Sequence, residues 1–128
     1  MSETSETYLT SDEEEVLLRI ARDALESWVR DSERIDLDRY ALTPTLQEKH
    51  GAFVTLREHG ELRGCIGYTQ NREPLAVAVR DNAINAASND PRFEPVRADE
   101  LQTIKIEISA LTPGETPDSP FKRVRKLR

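Results

Sequence analysis

Apolar residues recur at Leu17, Ile20, Ala21, Ala24, Leu25 and Trp28 with the spacing of one helical face, which predicts an amphipathic helix over residues 12–30. Ser11 followed by Glu14 reads as its capping box, and Asp12 to Glu15 suit the positive end of the helix dipole. Trp28, on that stripe, is read as core. A period of two takes over at Gly51–Arg57 and again at Leu62–Tyr68, with Glu58–Glu61 as the turn between the arms of a β-hairpin. Pro74 opens a second helix, Leu75 to about Asn89. On it Val79, Ala83, Ala86, Ala87 and Ile84 lie on a wide apolar arc, and Asn82, Asn85, Asn89, Asp81 and Ser88 on a polar one. Arg80 falls in the apolar arc, where it must snorkel or meet an anion. Leu101–Leu111 alternates most cleanly, with Ile104, Ile106, Ile108 and Ala110 inward and Lys105, Glu107 and Ser109 outward.

Between these elements the chain is punctuated. Thr43-Pro44 is a helix start and Gly51 a stop, giving a helix of about two turns. His50 at its end and His59 in the hairpin turn lack partners at metal-ligand spacing, so both are read as solvent-facing and no metal site is assigned. Asp90-Pro91 ends the second long helix, because proline disfavours helical geometry in the residue before it. Three prolines and a glycine in Thr112–Pro120 read as a loop. The expected organisation is therefore a disordered stretch at 1–10, one domain at 11–111, and a proline-rich loop with a basic connector at 112–128.

Composition narrows the classes. The chain has 128 residues, enough for one modest core, with 37% hydrophobic and 33% charged residues and a mean hydropathy of −0.64. Apolar runs fall far short of the ~18 residues needed to cross a membrane. The amino terminus is acidic and hydroxyl-rich, with no signal-peptide pattern. A single cysteine excludes an internal disulfide and a multi-cysteine zinc site, and the location read by default is cytoplasmic. Net charge is −6, yet Phe121–Arg128 carries five basic residues and no acidic one. An acidic body argues against nucleic-acid binding, since phosphate contacts supply most non-specific affinity. The basic end is a nucleic-acid arm, a solubilising tail or a connector. There is no GxGxxG or phosphate-loop motif, and no cofactor is implied.

Candidate chemistry concentrates in Leu62-Arg63-Gly64-Cys65-Ile66-Gly67. In an unbroken hairpin register Arg63 faces Leu56 and Cys65 faces Val54, so that cation and thiol are neighbours on one side of the ribbon. A guanidinium beside a thiol favours the thiolate, and Gly64 and Gly67 allow close approach of a ligand or of another backbone segment. The plainer reading makes Cys65 a small buried hydrophobe and the glycines marks of a bulge or of packing under a helix. Asp90 and Arg92 either pair with each other or present charge to a ligand.

Taken together, Gly51–Leu56, the hexapeptide 62–67, Asp90-Pro-Arg-Phe93 with Pro95-Val96, and the strand Glu100–Leu111 with Ser109 resemble the AMMECR domain family. Its prokaryotic members are called AmmeMemoRadiSam system protein A. The match covers about residues 12–120, and the hexapeptide is the family's hallmark. The resemblance implies an α+β domain, an antiparallel or mixed sheet with helices packed on its faces, in agreement with the order of elements above. Family members continue past this point through a glycine-containing hairpin and a Leu-Pro-Gln-Val segment, which makes the connector reading of the basic end the preferred one.

Two functions are compatible with this reading. In the first, favoured by a slight margin, the chain is an enzyme or enzyme component acting with Memo-like and radical-SAM-like partners. Cys65 is then nucleophile or thiol carrier, Arg63 stabilises the thiolate, and Gly64, Gly67, Asn82, Asp90 and Arg92 form the ligand site. In the second, the hairpin is a non-catalytic docking element in which Cys65 packs and Arg63 anchors a partner. Oligomeric state is not readable from the sequence.

Overall fold

The computed structural model describes residues 9–116 and 119–128, the side chains of 112–126 excepted. The sequence reading of residues 1–8 lies outside them. Leu9 is buried in the core and Thr10 caps the first helix, so the domain begins before residue 11. Helix α1 spans Ser11–Asp31. Its capping box sits one residue upstream of the expected one. Thr10 has extended backbone, its hydroxyl accepts from the Glu13 N–H at 3.0 Å, and Glu13 Oε1 accepts from the Thr10 N–H at 2.9 Å. The other Glu13 oxygen takes the hydroxyl proton of Thr43, the cap of the short helix α2, Pro44–Gln47. One buried carboxylate thereby starts two helices.

Helix α2 is shorter than the expected run to Gly51, because the chain behind it is extended and pinned to the entry of α3, Leu75–Ser88. His50 N–H donates to the Glu73 carbonyl, Leu75 N–H donates to the Glu48 carbonyl at 2.8 Å, and Lys49 bridges to Pro74. This buries His50 to 1% exposure, a correction to its reading as solvent-facing.

The sheet is four-stranded and antiparallel throughout, in the order β2-β1-β3-β4, with β1 at Ala52–Glu58, β2 at Glu61–Tyr68, β3 at Ile104–Thr116 and β4 at Ser119–Leu127. The two-residue turn His59-Gly60 has φ of 55° and 82°, the doubly left-handed geometry that matches the twist of a tight hairpin. Ala52, Val54, Leu56, Ile106, Ile108 and Ala110 form one face, on which both long helices lie. α3 packs over β1 and β2, and α1 packs on α3 and β3. The helices thus occupy one face of the sheet, not both. Among the described residues no helix covers the opposite face, which carries Phe53, Thr55, Arg57, Cys65 and Glu107.

Residues 112–128 are a second correction. Where a loop and connector were expected, β3 runs on to Thr116 and β4 returns beside it, Ile108 opposite Leu127 and Pro113 opposite Phe121. Beyond Leu111, whose N–H donates to Gly51, β1 has ended. The remainder is a two-stranded ribbon in which a proline can turn its missing donor outward, and its register shifts on either side of Pro113. α3 packs against both the sheet and α1, which explains the third correction: Asn82, expected on a polar arc, is buried and donates its Nδ2 to the Ala52 carbonyl at 3.3 Å. Arg80 meets an anion, Asp81, at 2.9 Å and also donates to the Ile35 carbonyl. No helix among the described residues is long and apolar enough to cross a membrane.

Candidate functional site

The hairpin register is interrupted once. Glu58 and Arg57 pair with Glu61 and Leu62, whereas Leu56 pairs with Gly64 and Thr55 with Cys65, so Arg63 is an extra residue in a β-bulge. The expected pairings of Arg63 with Leu56 and of Cys65 with Val54 do not occur. Gly64, opposite core-facing Leu56, lies directly beneath α3, where a β-carbon would overlap the Ala86 carbonyl oxygen and reach its carbon at 3.2 Å. Gly67 lies against β1, with the Phe53 ring 2.6 Å from where its β-carbon would be. Both glycines therefore serve close backbone packing.

Arg63 is held away from the thiol. Its Nε and Nη2 donate to the two oxygens of Glu100 at 2.9 Å each, a bidentate pair. Nη1 donates to the Glu94 carbonyl at 2.9 Å, Nη2 also reaches the Pro95 carbonyl, and Glu58 stands 3.8 Å away. The Arg63 hydrogen bonds hold the Glu100 carboxyl down at about 2, while Glu100 in turn raises the guanidinium's pKa. Glu100 also accepts from the Arg97 N–H at 2.8 Å, which fixes the 3-10 turn Ala98–Glu100. The arginine read as a thiolate stabiliser is a clamp between the bulge and the 94–100 segment.

Asp90 caps the outer edge of β2. Its Oδ2 accepts from the Cys65 N–H at 3.0 Å and from Arg92 Nη2 at 2.8 Å, and its Oδ1 accepts from the Arg92 N–H and Nε at 3.0 Å. Arg92 returns an Nη2 donor to the Cys65 carbonyl at 3.4 Å. The Asp90–Arg92 corner thus stands in for a neighbouring strand, satisfying backbone groups that an edge would leave open. Arg92 holds the Asp90 carboxyl well below the usual carboxylate range, against the opposing effect of burial.

Cys65 itself is half-buried on the bare face of the sheet, its Sγ 3.2 Å from Thr55 Oγ1. Around it stand the Phe53 ring and Glu107, the latter engaged by Arg57 at 3.5 Å and Arg128 at 3.2 Å. Of the seven candidate residues, Arg63, Gly64, Cys65, Gly67, Asp90 and Arg92 share one edge of the sheet. Asn82 sits apart, in the core beneath β1. Sequence reasoning missed Glu100 and Thr55 as members of the site. An unpaired arginine in an otherwise apolar hexapeptide was the available signal for the first. Nothing local signals the second, since the bulge decides which residue faces Cys65.

The AMMECR1 family profile matches residues 18–126. The chain belongs to the AMMECR1 family. A protein of Methanothermobacter thermautotrophicus is 45% identical over 107 residues, covering 84% of this chain and 55% of that protein. A protein of Thermococcus onnurineus is 44% identical over 120 residues, covering 89% and 58%. The crystal structure of the uncharacterised protein PH0010 from Pyrococcus horikoshii is similar with a TM-score of 0.78 at 36% identity, covering 86% of this chain and 58% of that one. This AMMECR1 chain therefore spans little more than half the length of the relatives it matches.

Proposed function

We propose that this AMMECR1-family chain is a non-catalytic interaction module whose hexapeptide stiffens the hairpin and whose bare sheet face, around Cys65 and Phe53, docks a protein partner. The observation carrying this reading is the internal commitment of every charged group of the motif: Arg63 to Glu100, and Asp90 to Arg92 and the Cys65 N–H. Such groups hold shape; they are not poised for proton transfer or for a substrate anion. Rigidity of this kind favours binding, because little side-chain freedom is lost on association. The Memo-like and radical-SAM-like proteins implied by the resemblance are the partners proposed, meeting the chain in the cytoplasm.

The test is calorimetric titration of the purified chain with each proposed partner. Cys65→Ser should leave affinity within about threefold, whereas Phe53→Asp should weaken it at least tenfold, as expected for an aromatic anchor. A second reading, an enzyme component with Cys65 as nucleophile, is favoured by the accessible thiol beside a hydroxyl. Rapid iodoacetamide labelling of Cys65 at neutral pH, together with loss of a partner-dependent turnover in Cys65→Ser, would replace the first reading by the second.

A further inference from the structure

A pocket of about 400 Å³ opens between α1 and the connector that follows it, on the helical side of the sheet and away from the Cys65 face. It is lined by Val16, Arg19, Asp23, Arg39, Tyr40 and Ala41. Its walls follow from the local sequence. Val16, Arg19 and Asp23 recur at three- and four-residue spacing and so share one face of α1. In the connector, Asp36 caps the 3-10 turn Leu37–Arg39 by accepting from the Asp38 N–H, Leu37 is buried, and Tyr40 N–H donates to the Leu37 carbonyl at 3.1 Å. The Tyr40 hydroxyl then closes onto Asp23 Oδ2 at 2.5 Å and ties the two walls together. The shape of the pocket is therefore set before any ligand arrives.

What the pocket lacks is a counter-ion for its cations. Among the arginines whose side chains are described, only Arg19, Arg30 and Arg39 make no ion pair, hydrogen bond or ring contact, and two of these three border this one concavity. Idle guanidiniums stand out in a chain of net charge −6. Burial and Asp23 raise the Tyr40 pKa while Arg39 and Arg19 pull it down, so both guanidiniums lie near the same hydroxyl. The formal charge of the lining is two positive against one negative, a surplus of one. Val16, Ala41 and the Tyr40 ring supply apolar surface beside it.

We propose that this pocket binds a small monocarboxylate with an apolar body, its carboxylate bridged by Arg19 and Arg39 and its body laid against Tyr40, Val16 and Ala41. A carboxylate presents the two acceptor oxygens that guanidinium forks engage. A single negative charge also matches the surplus that Asp23 leaves, whereas the second charge of a phosphoryl group would be set against the Asp23 carboxylate.

Benzoate is the probe, titrated into the isotope-labelled chain and followed by two-dimensional NMR, with benzamide as its neutral isostere and phenyl phosphate as the dianion. Benzoate should bind saturably with a dissociation constant of about 1 mM, the scale open to so small a ligand. The signals that move should be the Arg19 and Arg39 Nε–H groups and the Tyr40 and Ala41 amides. Benzamide and phenyl phosphate should each bind severalfold more weakly. Because neither guanidinium holds another part of the fold, the Arg19→Gln, Arg39→Gln double variant should keep its core signals unchanged while its affinity for benzoate falls at least tenfold. No approach to saturation by about 20 mM benzoate would overturn the proposal. So would equal binding of benzamide, phenyl phosphate binding as tightly as benzoate or more so, or undiminished benzoate affinity in the double variant.

Discussion

Gly64 is the position where packing and ligand access make opposite predictions. A β-carbon there would overlap the Ala86 carbonyl oxygen, and no rotamer change can relieve it, because both partners are backbone. Restoring a contact of about 3.5 Å moves α3 off β2 by about 1 Å. That helix is also wedged against α1 and β1, so the shift loosens well-packed Val79, Ala83 and Ala87 as well. Overpacking typically costs 1–3 kcal/mol, and a clash without escape belongs at about 3. Alanine would recover about 0.5 kcal/mol through a less flexible unfolded chain, because φ at residue 64 is not positive. The net loss for Gly64→Ala is then about 2.5 kcal/mol. With a urea m-value of about 1.5 kcal/mol/M, the midpoint falls by about 1.7 M at unchanged m. Gly60→Ala serves as a contrast: its β-carbon meets open space, but φ of +82° strains any L side chain, so a loss of about 1 kcal/mol arises with no packing change. A Gly64→Ala midpoint equal to or above that of the native chain would refute the packing argument and return the glycine to a role in ligand access.

Three further perturbations probe the charged framework. Arg63→Gln strands the Glu100 and Glu58 carboxylates and should cost about 3 kcal/mol at neutral pH, measured by urea unfolding. Because the Glu100 pKa is lowered from 4.5 to about 2, its contribution is complete above its ordinary value and vanishes as pH falls toward 2; the variant should lose that acid-side slope. Asp90→Asn keeps one acceptor oxygen but surrenders the charge that Arg92 and the Cys65 N–H share, so amide exchange at Cys65 should accelerate at least tenfold, and a native rate would contradict the edge-cap assignment. Tyr40 is pushed up to about 12 by burial and by its 2.5 Å hydrogen bond to Asp23. Its contribution is present below pH 10 and lost as pH climbs toward 12, so Tyr40→Phe should cost about 1 kcal/mol at pH 8 and flatten the alkaline limb.

Elements whose hydrophobic period agrees with their surroundings were legible in the sequence. α1, the β1 arm of the hairpin and the Ile104–Ala110 alternation each bury one face, and the pattern states which. β4 was not, because prolines that break a central strand are tolerated in a ribbon with no third strand beside it. His50 and Asn82 were misread for one shared reason: each is polar in sequence but closed over by chain far away, Glu73–Leu75 for the first and Ala52 for the second. At the candidate site the hexapeptide stands out in the sequence, yet its internal contacts do not, since Glu100 meets Arg63 from 37 positions downstream. Pairing at that separation leaves no local signature. The single extra residue in β2 leaves none either.

That extra residue acts on the motif as a frameshift acts on a message. Side chains alternate strictly along a strand, so everything beyond the bulge is read in the opposite phase. Counted straight from the turn, the thiol would be sealed beneath α3 and the glycine exposed; with Arg63 interposed, the glycine lies under the helix and the thiol looks outward. Deleting Arg63 would therefore exchange the inner and outer halves of the hexapeptide while hardly altering composition. A change elsewhere in the hairpin that preserved the parity would leave the thiol where it is.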